Sequence, residues 1–402
     1  MKILHITTIR SGSTGRTATD LKSFLNQKGN QYKIAFSEKD AKALDDDILI
    51  GNRFDHLLHA FFSRLFGLQG YFSFFATKRF LRQVNLYKPD IVVLGNLHAN
   101  YINLPVLFNY LALERIPVVM ILHDCWFFTG KCTHFTYRDC NKWKVQCHHC
   151  PAIKIDNLSW FSDCSRKMFK DRELWYKRLS SLTVVSVSEW EKNLAIQSPL
   201  FKAAKIGRIY NWIDTNTYKP ATQEDIQRIM KKYNLSESYK YLISVGGAWN
   251  PSSSKIKDSI KFSFLLPDNY RLIIVGSANH SAFPKNIIHI PYISNSSELA
   301  VLYSLSSAYL HFSVEDTFGK VIAEAMACGT VPVVYDSTAC PETAGPYGIV
   351  VPTHDVNAMV SKLADAENPI RRIGVRRYAL DYYSRSTNIN MYIETVFTPL
   401  LN

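Results

Sequence analysis

Eight short, β-rich apolar runs limit what this chain can fold into. They are Lys2–Thr8, Ile91–Leu94, Pro117–Leu122 and Leu182–Val187, then Tyr241–Val245, Arg271–Val275, Ala308–Phe312 and Val331–Tyr335. Helical patterns separate them. Short runs with no polar face, spaced by helices, predict doubly wound parallel sheets covered on both sides. At 402 residues the chain exceeds what one hydrophobic core holds, so the two series predict two domains. Between them, Asn211-Trp212-Ile213-Asp214-Thr215-Asn216-Thr217-Tyr218-Lys219-Pro220 supplies the turn formers and proline of a connection.

A hydrophobic content of 47% with 20% charged residues describes a globular chain. No apolar run approaches the roughly 20 residues that span a bilayer. Met1-Lys2-Ile3-Leu4-His5-Ile6 leads straight into a strand without a signal-peptide pattern, which predicts a cytoplasmic protein. The net charge of +13 favours anionic partners: nucleic acid, anionic lipid or phosphorylated substrates. With no basic run or nucleic-acid motif beside that charge, lipid and diphosphate rank higher. A basic nucleic-acid-binding protein stays as an alternative of another class.

The stretch from Ser313 to Val334 concentrates chemistry. Asp316, Phe318, Gly319 and Lys320 lead into a small-residue helix, expected over Phe318–Ala327, that carries Glu324 and feeds a strand. A helix starting beyond a strand's C-terminal end aims unpaired N–H groups at a crevice suited to phosphate. Two carboxylates flanking such a site suit a nucleotide sugar. Here the chain resembles retaining glycosyltransferases of family four, whose GT-B fold pairs two Rossmann-like domains across a central cleft. That family carries two Glu residues separated by seven. The resemblance implies that Glu324 binds the ribose and that Asp316, standing where the family has Glu, contacts the transferred sugar. It also implies an interdomain linker at 211–220 and a C-terminal helical segment crossing back onto the first domain.

Other segments fit the same resemblance. Gly12 and Gly15 follow the first strand where the family places a loop beside the donor diphosphate; a true dinucleotide fingerprint would need a third glycine. His123, with Asp124, follows a buried strand where the family has a His near the sugar and its phosphate. The alternative is a His satisfied by a backbone carbonyl. His98 resembles an acceptor-side His of a subgroup, or is structural. Gly246 and Gly247 let backbone approach phosphate, but the family's Arg and Lys-Gly clamp is missing; Lys255 is the nearest substitute and Lys320 a second cation. Ser337-Thr338-Ala339-Cys340-Pro341-Glu342 resembles the family's Pro-Glu loop near the nucleotide.

Cys132, Cys140, Cys147 and Cys150 crowd one loop, 125–151, with Cys147-His148-His149-Cys150 forming a C-x-x-C knuckle. The spacing admits structural Zn²⁺, disulfides or unlinked thiols, with zinc ranked first for a cytosolic chain. Cys125 reads as a packing residue. The run from His123 to Pro151 resembles a subgroup active in exopolysaccharide synthesis. Phe61, Phe62, Leu65, Phe66, Tyr71, Phe72, Phe74 and Phe75, interleaved with Arg64, Lys78, Arg79 and Arg82, read either as a membrane-surface segment or as core helices with solvated basic faces. Asp45-Asp46-Asp47 reads as a solvated turn rather than a catalytic metal site.

The combined expectation is an α/β protein of GT-B fold. Residues 1–205 would bind acceptor, 206–375 nucleotide sugar, and 376–402 would return to the first domain. The implied activity is metal-independent, retaining transfer of a hexose from a nucleoside diphosphate sugar to a glycan hydroxyl. The acceptor would be carried on a polyprenyl-diphosphate lipid, with peripheral contact to an anionic membrane and no nucleic-acid partner. A nucleotide-sugar 2-epimerase on the same fold is the enzyme alternative.

Overall fold

The computed structural model describes residues 1–37, 47–278 and 283–401. The chain divides into two compact units: Met1–Ile209 together with Ile389–Asn402, and Tyr210–Asn388. The return to the first unit was expected from residue 376. It begins at Ile389, because the helix Pro369–Tyr383 belongs to the second unit, where Arg376 donates to the carbonyl of Ala327.

The first unit holds seven strands: β1 (Lys2–Ile6), β2 (Gln31–Ser37), β3 (Ile48–Ile50), β4 (Ile91–Leu94), β5 (Val118–Leu122), β6 (Leu182–Ser186) and β7 (Lys205–Arg208). Their order is β3-β2-β1-β4-β5-β6-β7, parallel throughout. Every residue of β4, β5 and β6 is buried, as expected for strands covered by helices on both faces.

The second unit repeats the plan with β8 (Lys240–Trp249), β9 (Tyr270–Ala278), β10 (Ile287–Ile290), β11 (Ala308–His311), β12 (Pro332–Tyr335) and β13 (Ile349–Val351). The order is β10-β9-β8-β11-β12-β13, again parallel. In each sheet the strand order reverses once, beside β1 and β4 or beside β8 and β11. Parallel sheets open a crevice at the C-terminal ends of such strands.

Three expectations need correction. β8 does not stop at Val245; it runs to Trp249 through a register shift between Val245 and Ala248, so Gly246 and Gly247 form a bulge inside a strand. The helix expected at Phe318–Ala327 starts at Lys320, which puts Glu324 about one turn in. Asp47 is not a solvated turn residue. Its side chain is 2% exposed and bridges Arg10 at 2.9 Å and Lys22 at 2.7 Å; Asp45 and Asp46 lie outside the described residues.

Candidate active site

In the second unit the site grows from the ends of β8, β11 and β12. β11 ends on His311, which is 4% exposed. Its Nε2 meets Asp316 Oδ2 at 2.8 Å and its Nδ1 meets the Tyr309 hydroxyl at 2.8 Å. Burial opposes the imidazolium, but Tyr309, Cys340 and the bond to Asp316 outweigh it and raise His311 well above its ordinary pKa. The loop after β12 braces this turn: Asp316 N–H donates to Thr338 Oγ1 at 3.1 Å, and Ala339 N–H to Asp316 O at 3.2 Å. His311, Asp316 and Cys340 offer ligand atoms all within 4.8 Å of one another, a set able to hold a metal ion.

Gly319 caps the helix Lys320–Ala327 at φ 78°, a left-handed conformation, and a Cβ there would lie 2.8 Å from Ile322 Cδ1. The turn therefore calls for glycine. No side chain caps this N-terminus, and Lys320 opens the helix. Glu324 is 9% exposed with the Tyr303 hydroxyl 3.5 Å from Oε2. Phe318 is buried, its ring packed on Tyr210 and Tyr383 at 6.0 and 5.1 Å, so its side chain anchors the loop from below.

From the helix Ser254–Phe264, Lys255 folds back over the glycine bulge of β8. Its Nζ donates to Ala248 O at 2.8 Å and lies 4.2 Å from the Trp249 ring centre. Burial lowers its pKa, against the pull of Asp316. A Cβ on Gly246 would sit 2.4 Å from Nζ, and one on Gly276 only 1.9 Å from Gly246 O. The bare backbone is thus a packing requirement at Gly276, while at Gly246 the mobile end of Lys255 could give way; Lys255 brings positive charge beside the bulge.

In the first unit the expected residues also gather at the C-terminal ends of adjacent strands. After β1, Gly12 (φ 69°) and Gly15 open the helix Gly12–Gln27, and a Cβ at Gly15 would meet Arg10 C at 2.4 Å. After β4, His98 Nε2 bonds Asp124 Oδ2, beyond β5, at 2.8 Å. Burial disfavours charge on both, yet their mutual attraction prevails: His98 is raised and Asp124 lowered. Asp124 also accepts from Trp126 N–H at 2.9 Å. His123, half-buried, adjoins His5, which burial first and then His123 push down to about 3.

Sequence reasoning missed His5, Tyr303, Tyr309 and His311. For His311 a signal existed, since a histidine ends an otherwise apolar strand five residues before Asp316. The four cysteines of the loop line one small cavity, with Cys132 and Cys150 Sγ 3.7 Å apart. Cys125 is buried, as a packing residue should be.

The signature described as Glycosyltransferase Family 4 matches residues 14–217, half of the chain, and that of Glycosyl transferases group 1 matches 225–372. This chain belongs to glycosyltransferase family 4. The family-4 chain is also 26% identical over 212 residues to N-acetyl-alpha-D-glucosaminyl L-malate synthase of Bacillus anthracis, covering 49% of itself and 54% of that protein. It thus spans about half the length of that curated relative. Its fold is similar to a glycosyltransferase of Rickettsia africae, with TM-score 0.67 and 16% identity over 100% of this chain and 98% of the other. HepE of Anabaena, solved with UDP-glucose, gives TM-score 0.67 at 13% identity over 98% and 99%. Both likenesses establish the GT-B-type fold.

Proposed function

We propose that this glycosyltransferase moves a hexose, with retention, from a nucleoside diphosphate sugar to a hydroxyl of a lipid-linked glycan in bacterial surface or exopolysaccharide synthesis. The observation that carries this reading is the grouping at β8, β11 and β12. There Asp316, Glu324, Lys255, Lys320 and an uncapped helix start occupy the strand-order reversal of one sheet. Glu324 binds ribose hydroxyls, and Asp316 accepts from the sugar. Lys255, Lys320 and the helix N–H groups meet the charge that develops on the leaving diphosphate, an electrostatic role that needs no divalent ion. Retention rests on the family resemblance of the two carboxylates, spaced by seven residues. The Anabaena neighbour's complex with UDP-glucose agrees with a donor of this class.

A lipid-borne acceptor is supported by the helix Arg53–Phe66. Phe54, Leu57, Leu58 and Phe61 form an exposed stripe at helical spacing, 68, 60, 41 and 47% exposed. Phe75 adds 76% exposure, with Lys78 and Arg79 following it on the next helix, Phe74–Tyr87. Exposed aromatics beside cations suit the interface of an anionic membrane. Among the described residues no helix is long and apolar enough to cross one.

The reading is tested by a thermal-shift panel of UDP, GDP and dTDP sugars, followed by product analysis with the best donor. Stabilisation by one donor and an α-linked product from an α-linked donor are expected. Epimerised donor without transfer, or an inverted linkage, would overturn it.

A further inference from the structure

The loop 125–151 carries chemistry that sugar transfer does not use. Cys132, Cys140, Cys147 and Cys150 come from three separate turns, yet all four line the same pocket, which has room for about 20 Å³. That space suits one atom-sized guest. Cys132 and Cys150 Sγ stand 3.7 Å apart, and two thiolates on a tetrahedral zinc at about 2.3 Å are separated by about 3.8 Å. Gly130 N–H donates to Cys147 Sγ at 3.1 Å, the kind of backbone bond that orients a metal-bound thiolate. Glycine is needed at that position, since a Cβ would meet Cys147 Cβ at 2.7 Å.

Charge around the pocket points the same way. Lys131, on the lining, is 2% exposed, and Arg172 nearby is 1% exposed. Arg172 donates to the carbonyls of Trp126 and Thr129, and four thiolates around a divalent ion would add a net charge of about −2 beside these two cations.

We propose that Cys132, Cys140, Cys147 and Cys150 bind one structural Zn²⁺ as a tetrahedral four-thiolate site, in which Cys132 and Cys150 already stand at ligating separation and the other two sulfurs close in on the ion. The ion closes a loop otherwise held by Phe135 and Trp143 packed on Phe128 and by hydrogen bonds such as Thr133 N–H to Asp156 and Cys150 N–H to Asp163. It also steadies the segment after Asp124, because Cys125 N–H donates to Thr133 O at 2.9 Å, next to Cys132.

The test is elemental analysis of full-length protein purified without chelator, which should show about one zinc per chain. Cys147→Ser and Cys150→Ser should each lose most of it. Cys164→Ala, a nearby cysteine whose thiol donates to Phe66 O instead, should keep it. Since a serine variant can misfold, the second measurement uses wild-type protein stripped of metal and given Co²⁺. It should develop the visible and near-ultraviolet bands of tetrahedral thiolate cobalt. Four alkylatable thiols with neither zinc nor cobalt bands would overturn the proposal. So would a disulfide among these cysteines, or zinc that survives Cys147→Ser undiminished.

Discussion

His311 Nε2 lies 2.8 Å from Asp316 Oδ2, so a buried imidazole holds one oxygen of the carboxylate that the proposed function places at the transferred sugar. Asp316 is a methylene shorter than Glu. The histidine fixes the direction of this side chain, which is 31% exposed. Glu324, on the helix that follows, is 9% exposed.

Replacing Glu324 with Ala should weaken free nucleotide more than replacing Asp316 does. A charge-assisted bond to ribose is worth about 1.5–3 kcal/mol, or roughly ten- to hundred-fold in Kd. Asp316→Ala should instead depress turnover. Equal calorimetric affinity of wild type and Glu324→Ala for the nucleotide would remove the ribose assignment.

Activity should survive brief EDTA treatment with its initial rate within about twofold, because Lys255, Lys320 and the helix start at Gly319 supply the positive charge. Immediate loss, restored by Mg²⁺, would instead put an ion on His311, Asp316 and Cys340.

The His98–Asp124 pair fixes a pH window. Asp124 is lowered from 3.8, so its contribution is present above that value and lost as pH falls through the folded pKa. His98 is raised from 6.5, so its contribution is full below 6.5 and lost as pH climbs through the folded pKa. The Tm deficit of His98→Asn should therefore be greatest between about pH 4 and 6.5 and shrink on either side. A deficit that is flat with pH would show that the pair carries no charge.

Gly276→Ala should cost about 2–4 kcal/mol, since the new Cβ would fall 1.9 Å from Gly246 O at φ 138°. Gly247→Ala, with nothing within 4 Å of its Cβ, should change stability by less than about 0.5 kcal/mol. Denaturant titration of both variants checks the contrast, and similar losses would contradict the bulge geometry.

The inner strands were legible because burial on both faces leaves unbroken apolar runs, as in β4 and β5. The strands missed were β2, β3, β7, β10 and β13, at or next to sheet edges. Lys205–Arg208 alternates exposed and half-buried residues, and Ile349–Val351 is three residues long, so neither forms a readable run. Motif spacing located Asp316 and Glu324, but not the partner that orients Asp316. A histidine closing an apolar run five residues before Asp316 hinted at His311, and the three-dimensional turn supplies its contact. Asp47 was misread because its partners, Arg10 and Lys22, come from distant turns of chain.

The first unit is not a continuous piece of chain: residues from Ile389 onward complete it, with Ile389, Tyr392 and Phe397 buried and Lys28 Nζ bonded to Asn390. During synthesis the ribosome must add the roughly 180 residues of the second unit before that patch is covered. At about 5–20 residues per second the wait is on the order of 10–40 s. For that interval the nascent first sheet carries an uncovered apolar surface, and the second unit, which needs no later sequence, is the one free to finish folding first.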